Sequence, residues 1–504
     1  MSEPMSYDFV IAGGGTAGWM AAAALARFLP RGKRVALVES DAIGTVGVGE
    51  ATIPQIHNLH RGFGIDEDAF IRETKASFKL GIEFDGWLCE GERYMHAFGP
   101  VGRGAGLLPF HHYWLRAKAL GSGEPLANYS LNEQAARTIR MQRGDAGQPG
   151  PMPYAYHFDA GLYAQFLRRF AEQRGVTRIE GTIAEVQQDG ESGAITALNL
   201  DGGRSVPGRF FIDCTGFRAL LIEQTLGAGF DDWRDHLPCD RAVTVACENG
   251  GEFTPYTRAM ARKAGWQWRI PLQHRIGNGL VYSSAFLDDG EAADLLLSNL
   301  DGAPHGDPRI IRFATGKRRQ HWHSNCLALG LAAGFMEPLE STSIHLVQSA
   351  ISRFLSVLPE GDGDPSIVSW FNAQAEFEWS RIRDFLVLHY VANRRQGEPF
   401  WDAMRAASLP GTLEAKLDTW RATGFIHRDH EELFTEVGWL QVLVGQGVEV
   451  SGYNPIADTL DEKDLRAFLA DTERAVADRV TRMPHHIDVL ANIVRPAPAL
   501  ETAQ

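Results

Sequence analysis

Three glycines, Gly13, Gly15 and Gly18, stand between the apolar run "YDFVIAGGG" and the alanine-rich run "TAGWMAAAALARF". Their G-x-G-x-x-G spacing suits anion binding. With no side chains at the turn, a pyrophosphate can approach backbone N–H groups and the positive end of the following helix. The next apolar run, "RVALVES", ends at Glu39, about twenty residues beyond the last glycine, where a carboxylate accepts hydrogen bonds from a ribose diol. Together these features predict a bound dinucleotide. A second stretch, "FMEPLESTSIHL" from Phe335 to Leu346, sets Glu337, Pro338, Glu340 and the hydroxyls of Ser341, Thr342 and Ser343 at the start of a helical pattern. Two readings stay open for it: an ordinary cap whose acids answer the helix dipole, or an anion site beside a reactive carboxylate.

The elements that must position these residues begin as a βαβ unit, and the alternation then stops. "GTIAEVQQDGESGAITALNLDGGRSVPGRFFIDCTG" has short alternating runs split by Asp-Gly and Gly-Gly turns, the pattern of a β-meander. From about Ser366 the pattern is helical, with apolar residues three and four apart in "WFNAQAEFEWSRIRDFLVLHYVANRR". The final "RPAPALETAQ" reads as a frayed tail. The expected fold class is mixed α/β: a Rossmann-type module with inserted β-sheets over residues 1–355, and a largely helical module over 356–504. No repeat or low-complexity linker separates them, so the helical part is expected to pack directly on the nucleotide-binding part.

A chain of 504 residues, 44% apolar and 22% charged, fits a soluble globular enzyme of two or three packed modules. A net charge of −14 without a basic block argues against nucleic acid, because phosphate binding needs clustered Lys and Arg. The apolar run Trp19–Phe28 is too short to span a bilayer, and no basic segment precedes it. The five cysteines contain no C-x-x-C pair and are odd in number, which fits a reduced cytoplasm with thiols packed as small apolar groups. "HWHSN" at His321–Asn325 and the His-His pairs at His111 and His485 lack companion ligands, so no metal site is expected. Lys75 and Lys79, in "KASFKLG" before Gly81, read by themselves as cations at a helix end. Trp266 and Trp268 alternate along a predicted strand, which ordinarily means core.

Six segments in register carry a resemblance: "GGGTAGW" (Gly13–Trp19), "GVGEATIP" (Gly47–Pro54), "FKLGIEFDGW" (Phe78–Trp87), "FIDCTGFRALL" (Phe211–Leu221), "GWQWRIPL" (Gly265–Leu272) and "GLAAGFMEPLESTSI" (Gly330–Ile344). The chain resembles the flavin-dependent halogenases of the tryptophan-halogenase type over about two-thirds of its length. Beyond that, "RIRDFLVLHY" is similar and the rest is alike only in helical character. The resemblance implies a box-shaped FAD module covered by a helical, pyramid-like module. It also implies reduced FAD (FADH2), O2 and chloride or bromide as reactants, with hypohalous acid passing down a tunnel to the substrate. The implied cofactor contacts are Gly13, Gly14, Gly15, Thr16, Ala17, Gly18, Glu39, Gly49, Ala51, Val186, Leu331 and Ile344.

By the same resemblance, Lys79 is the lysine that forms a haloamine or hydrogen-bonds the hypohalous acid. Glu340 is the glutamate that stabilises the cationic ring intermediate and takes its proton. The amides of Thr342 and Ser343 are the halide site, with Ser343 where several family members carry glycine. His96 and Phe98 are the aromatic pocket, and Trp266 and Trp268 mark the tunnel. No second glycine-rich nucleotide motif and no NADPH-using "DG" segment occurs, so a separate NAD(P)H-dependent flavin reductase is the implied partner. Tryptophan-specific members hold the amino acid partly with a tyrosine pair, whereas this chain reads "GWLQVLVGQG" there. The expected substrate is therefore indole or another small, free, electron-rich aromatic. Glu340 sets the chain apart from the carrier-bound phenol and pyrrole branch. A monomer or homodimer in the cytoplasm is expected. The rivals are a flavin monooxygenase that hydroxylates the ring and a noncatalytic FAD-binding protein.

Overall fold

The Tyr7–Ala12 strand is apolar along "FVIA" because parallel neighbours flank it, Ser205–Asp213 on one side and Val35–Glu39 on the other. Helix-covered parallel strands lose the polar-out alternation of half-exposed ones. The computed structural model describes residues 6–42, 49–144, 152–359 and 363–495. The first two residues of "GVGEATIP" and all but the first of the expected frayed tail lie outside the described residues. The first sheet runs Trp322–His323, Cys326–Ala328, Ser205–Asp213, Tyr7–Ala12, Val35–Glu39, Thr177–Glu180. The expected meander is present: Ile183–Gln188 pairs antiparallel with Ile195–Leu200, which pairs antiparallel with the start of Ser205–Asp213. That last strand then enters the parallel sheet.

A second sheet carries His96, Thr257, Trp266 and Trp268. Its order is Arg309–Arg312, Arg241–Cys247, Ile276–Tyr282, Gly265–Pro271, Thr257–Arg262, Gly81–Asp85, Arg93–Ala97. The last strand is an edge, closed by a side chain from the helix Glu436–Gly445: Gln441 accepts from the Ala97 N–H at 3.1 Å and donates to the Ala97 carbonyl at 3.0 Å. A small third sheet pairs Ala155–Phe158 with both Glu50–Ala51 and Ser77–Lys79.

The helical region starts where Asp364 accepts from Ser366 N–H and Pro365 takes the first helical position, beginning the 27-residue helix Pro365–Val391, as side-chain capping and a missing N–H at that position allow. One continuous buried cluster joins Val10, Trp266, Phe385, Trp420 and Leu469, so the helices dock directly on the sheets. Burying side chains of this size contributes roughly 2–3 kcal/mol each. Among the described residues, no helix is long and apolar enough to cross a membrane.

Candidate active site

Backbone geometry explains the glycine turn. Gly13 has φ +106°, and a Cβ there would stand 2.2 Å from the Cys214 carbonyl oxygen. A Cβ on Gly18 would meet the Gly13 carbonyl at 1.9 Å, whereas one on Gly15 would meet nothing within 4 Å. Gly13 and Gly18 therefore let strand and helix close up, while Gly15 faces open space. Gly15 is also the N-cap of the helix Thr16–Phe28, with no side chain capping it, so the helix presents its unpaired amides and positive end there. These residues open onto a cavity of about 500 Å³ that also takes in Glu39, Gly49, Ala51, Leu331, Thr342, Ser343 and Ile344. Side-chain-free backbone, helix dipole and terminal acid fit a dinucleotide cofactor. Glu39 is held at the strand end by Trp19 Nε1–H at 3.3 Å and by Arg178 at 2.5 Å.

One expected contact is misplaced. Val186 packs against the core with its strand paired to Leu198, away from the cleft, and the cleft is reached by Gly181, Thr182 and Ile183 at the strand's start. Gly18 shapes the turn without lining the cavity.

Lys79, Glu340, His96, Phe98 and Trp266 do not line the cleft either; they lie behind it. The helix-end reading of Lys79 is corrected: the preceding helix stops at Glu73, Lys75 takes a left-handed turn at φ 55°, and Lys79 lies in the Ser77–Lys79 strand. Its side chain is 0% exposed. Nζ donates to the Thr52 carbonyl at 3.0 Å and to Ser341 Oγ at 2.7 Å, and stands 5.4 Å from the centre of the Phe98 ring. Burial lowers its pKa to about 7, against the opposing charge of Glu340, so near neutrality it can act as donor or nucleophile.

Glu340, 1% exposed, is gripped from two sides. His96 Nδ1 lies 2.8 Å from Oε2 and His389 Nε2 lies 3.0 Å from Oε1, the latter out of line for a hydrogen bond. His389 Nδ1 is 2.8 Å from the Phe385 carbonyl, an acceptor only, so that nitrogen carries a proton. Burial pushes the Glu340 carboxyl up, but the charge and hydrogen bond of His96 and the close approach of the His389 imidazole outweigh it and hold the pKa at about 2.

Ser341 lies between the cleft and these buried side chains. It has φ 58°, ends the 3₁₀ turn Pro338–Glu340, and precedes Thr342, the N-cap of the helix Ser343–Ser356. A left-handed non-glycine residue costs of order 1 kcal/mol or more. Here it turns Glu340 toward the histidines while Thr342 and Ser343 face the cleft, their amides without partners among the described residues. Trp268 lines the cleft; Trp266 instead donates Nε1–H at 2.7 Å to buried Glu337, which also accepts from Tyr390 O–H. Burial raises Glu337 to about 7. Over His96 lie Phe385 and Phe434, stacked with centroids 3.8 Å apart, and Trp439 edge-on to Phe385 at 4.8 Å. Ser341 and Glu337 lie in the candidate stretch with no role assigned to them by the sequence, and His389 is a new member of the site whose signal lay in "RIRDFLVLHY".

A cleft shaped for a dinucleotide, with a lysine of lowered pKa and an ion-paired glutamate buried behind it, has the make-up of an enzyme active site. The chain is also similar to known enzymes. A tryptophan 6-halogenase of Streptomyces albogriseolus is 37% identical over 447 residues, spanning 82% of this chain and 81% of the relative. A solved flavin-dependent halogenase from Xanthomonas campestris is 46% identical with a TM-score of 0.95, covering 98% of this chain and 100% of that one. One from Brevundimonas sp. BAL3 is 42% identical with a TM-score of 0.93, at 98% and 100% coverage. The tryptophan halogenase family model matches residues 8–462, and the chain belongs to that family of flavin-dependent enzymes.

Proposed function

We propose that the protein is an FADH2-dependent halogenase that uses O2 and chloride or bromide to halogenate a free, electron-rich aromatic such as indole. The observation that carries this is the placement of Ser341: its hydroxyl accepts from Lys79, its residue lines the cleft, and Glu340 precedes it on the same turn. Reduced FAD, delivered by a separate NAD(P)H-dependent reductase, would supply the electrons and oxygen activation that convert halide to hypohalous acid. Gly13–Ala17 and Glu39 would hold its dinucleotide part, and the Thr342 and Ser343 amides the halide.

Lys79 then receives the hypohalous acid behind Ser341, as hydrogen-bond donor or as the amine that takes the halogen. Aromatic side chains around His96 exclude water and orient a flat substrate. Glu340, kept anionic, stabilises the cationic ring intermediate and accepts its proton, which His96 or His389 can relay onward. The division into a module over 1–355 and a helical cover over 356–504 belongs to this reading, as does the preference for a small aromatic. At the "GWLQVLVGQG" segment the buried polar groups are Gln441, committed to Ala97, Gln446, whose Nε2 donates to the His389 carbonyl, and the Trp439 Nε1–H, none of them charged and so a poor match to an amino-acid carboxylate and ammonium. The test is incubation with a flavin reductase, NADH, FAD, indole and either halide, followed by mass spectrometry. Halogenated indole is expected; oxygenated product without it would overturn the proposal in favour of a monooxygenase.

A further inference from the structure

Thr257, at the start of the Thr257–Arg262 strand, is 4% exposed and lines the cleft. Behind it runs a chain of three hydrogen bonds: Thr257 Oγ1 to His157 Nε2 at 2.9 Å, His157 Nδ1 to Ser77 Oγ at 3.1 Å, and Ser77 Oγ to the Pro271 carbonyl at 2.6 Å. The direction of every bond follows from the far end. A carbonyl only accepts, so the single hydroxyl proton of Ser77 goes to Pro271. Ser77 Oγ can then only accept from His157, and Nδ1 carries the ring proton.

His157 is 0% exposed. Burial first, then the charge of Lys79, keep the ring neutral, so Nε2 is a bare acceptor. Thr257 must donate to it, and with that proton committed the hydroxyl has only lone pairs to offer the cleft.

We propose that Thr257 is an obligate hydrogen-bond acceptor in the cleft, which takes an N–H or O–H proton from the bound molecule and gives no hold to an anion. Halide is therefore left to the Thr342 and Ser343 amides. This rests on the cleft being the flavin and hypohalous acid compartment, where two molecules offer neutral donors: the cofactor with its N–H and O–H groups, and the acid with its O–H.

The test compares Thr257→Val, which deletes the acceptor, Thr257→Ser, which keeps it, and Ser77→Ala. Ser77→Ala removes the acceptor for Nδ1–H, frees His157 to donate from Nε2, and so turns Thr257 into a donor without touching the cleft. Oxidised FAD affinity is measured by fluorescence quenching. Escaping hypohalous acid is measured with a solution trap, per reduced FAD consumed.

If an N–H or O–H of the FAD is the donor, Thr257→Val and Ser77→Ala weaken FAD about three- to tenfold, and Thr257→Ser does not. If hypohalous acid is the donor, FAD affinity holds and escape rises several-fold in the same two variants. If both readouts match the parent in both variants, the proposal falls while the flavin reading stands. A parent protein that binds no FAD would overturn the flavin reading itself.

Discussion

Lys79→Met is predicted to remove a stability penalty along with the chemistry. A lysine pKa of about 7 in the fold, against an ordinary value of 10.5, corresponds at ~1.4 kcal/mol per unit to roughly 5 kcal/mol of destabilisation below pH 7. The sign follows from proton counts. Between pH 7 and 10.5 the unfolded chain carries the lysine proton and the folded one does not, so stability rises with pH through that window. Methionine abolishes the slope. It also strips a donor from the Thr52 carbonyl and Ser341 Oγ, at about 1–3 kcal/mol each, so the two proteins should lie close together at pH 7. Wild type should then gain on Lys79→Met by roughly 2–3 kcal/mol from pH 7 to pH 9. Urea unfolding followed by tryptophan fluorescence from pH 6 to 9 reads this difference directly, with halogenated product scored alongside. A difference flat to within about 0.5 kcal/mol, or undiminished halogenation, would refute the reasoning.

Other outcomes follow from the same geometry. Glu340→Gln should cut ring halogenation about 10²–10⁴-fold with FAD affinity intact, measured as product by mass spectrometry against a binding isotherm. The Glu340 carboxyl lies at about 2 against an ordinary 4.5, so its stabilisation is present above pH 4.5 and lost as pH falls toward 2; the Gln variant should show a flatter acid unfolding curve. Gly13→Ala drives a Cβ to 2.2 Å from the Cys214 oxygen at a φ of +106° and should abolish flavin binding, visible as loss of bound FAD after gel filtration. Glu337→Leu leaves the Trp266 N–H and Tyr390 O–H without their acceptor and should destabilise by about 2–5 kcal/mol, whereas Glu337→Gln should retain most of that in chemical denaturation.

The sequence was most legible where one local rule settles the structure. Gly13 and Gly18 sit at a strand–helix junction because only glycine fits the approaches there, Gly15 leaves the helix end open to the cleft, and Trp266 and Trp268 lie on the predicted strand. The helix from Pro365 follows its apolar period. What stayed hidden depends on residues far apart in the chain. Lys79 reads as a helix-end cation because its antiparallel partner, Ala155, comes 76 residues later. Val186 was placed in the cleft by likeness, but its position along the strand decides which residues reach the cavity. The left-handed turn at Ser341 has no glycine to announce it, and the proton on His389 is fixed by a carbonyl four residues back.

The amide of Gln441 acts where another strand would otherwise lie. Left bare, the outer backbone groups of Arg93–Ala97 could pair with a second chain, beside the strand residue, His96, that grips the reactive carboxylate. One planar side chain fills that vacancy with the donor and acceptor that Ala97 requires, and it comes from the helix proposed to cover the substrate. Inserting or deleting one residue before Gln441 would swing it some 100° around its helix and break both bonds at once. The helix's rotational setting over the sheet is therefore pinned by Gln441, and by Gly438 and Gly445, which leave room for His96 and Tyr94.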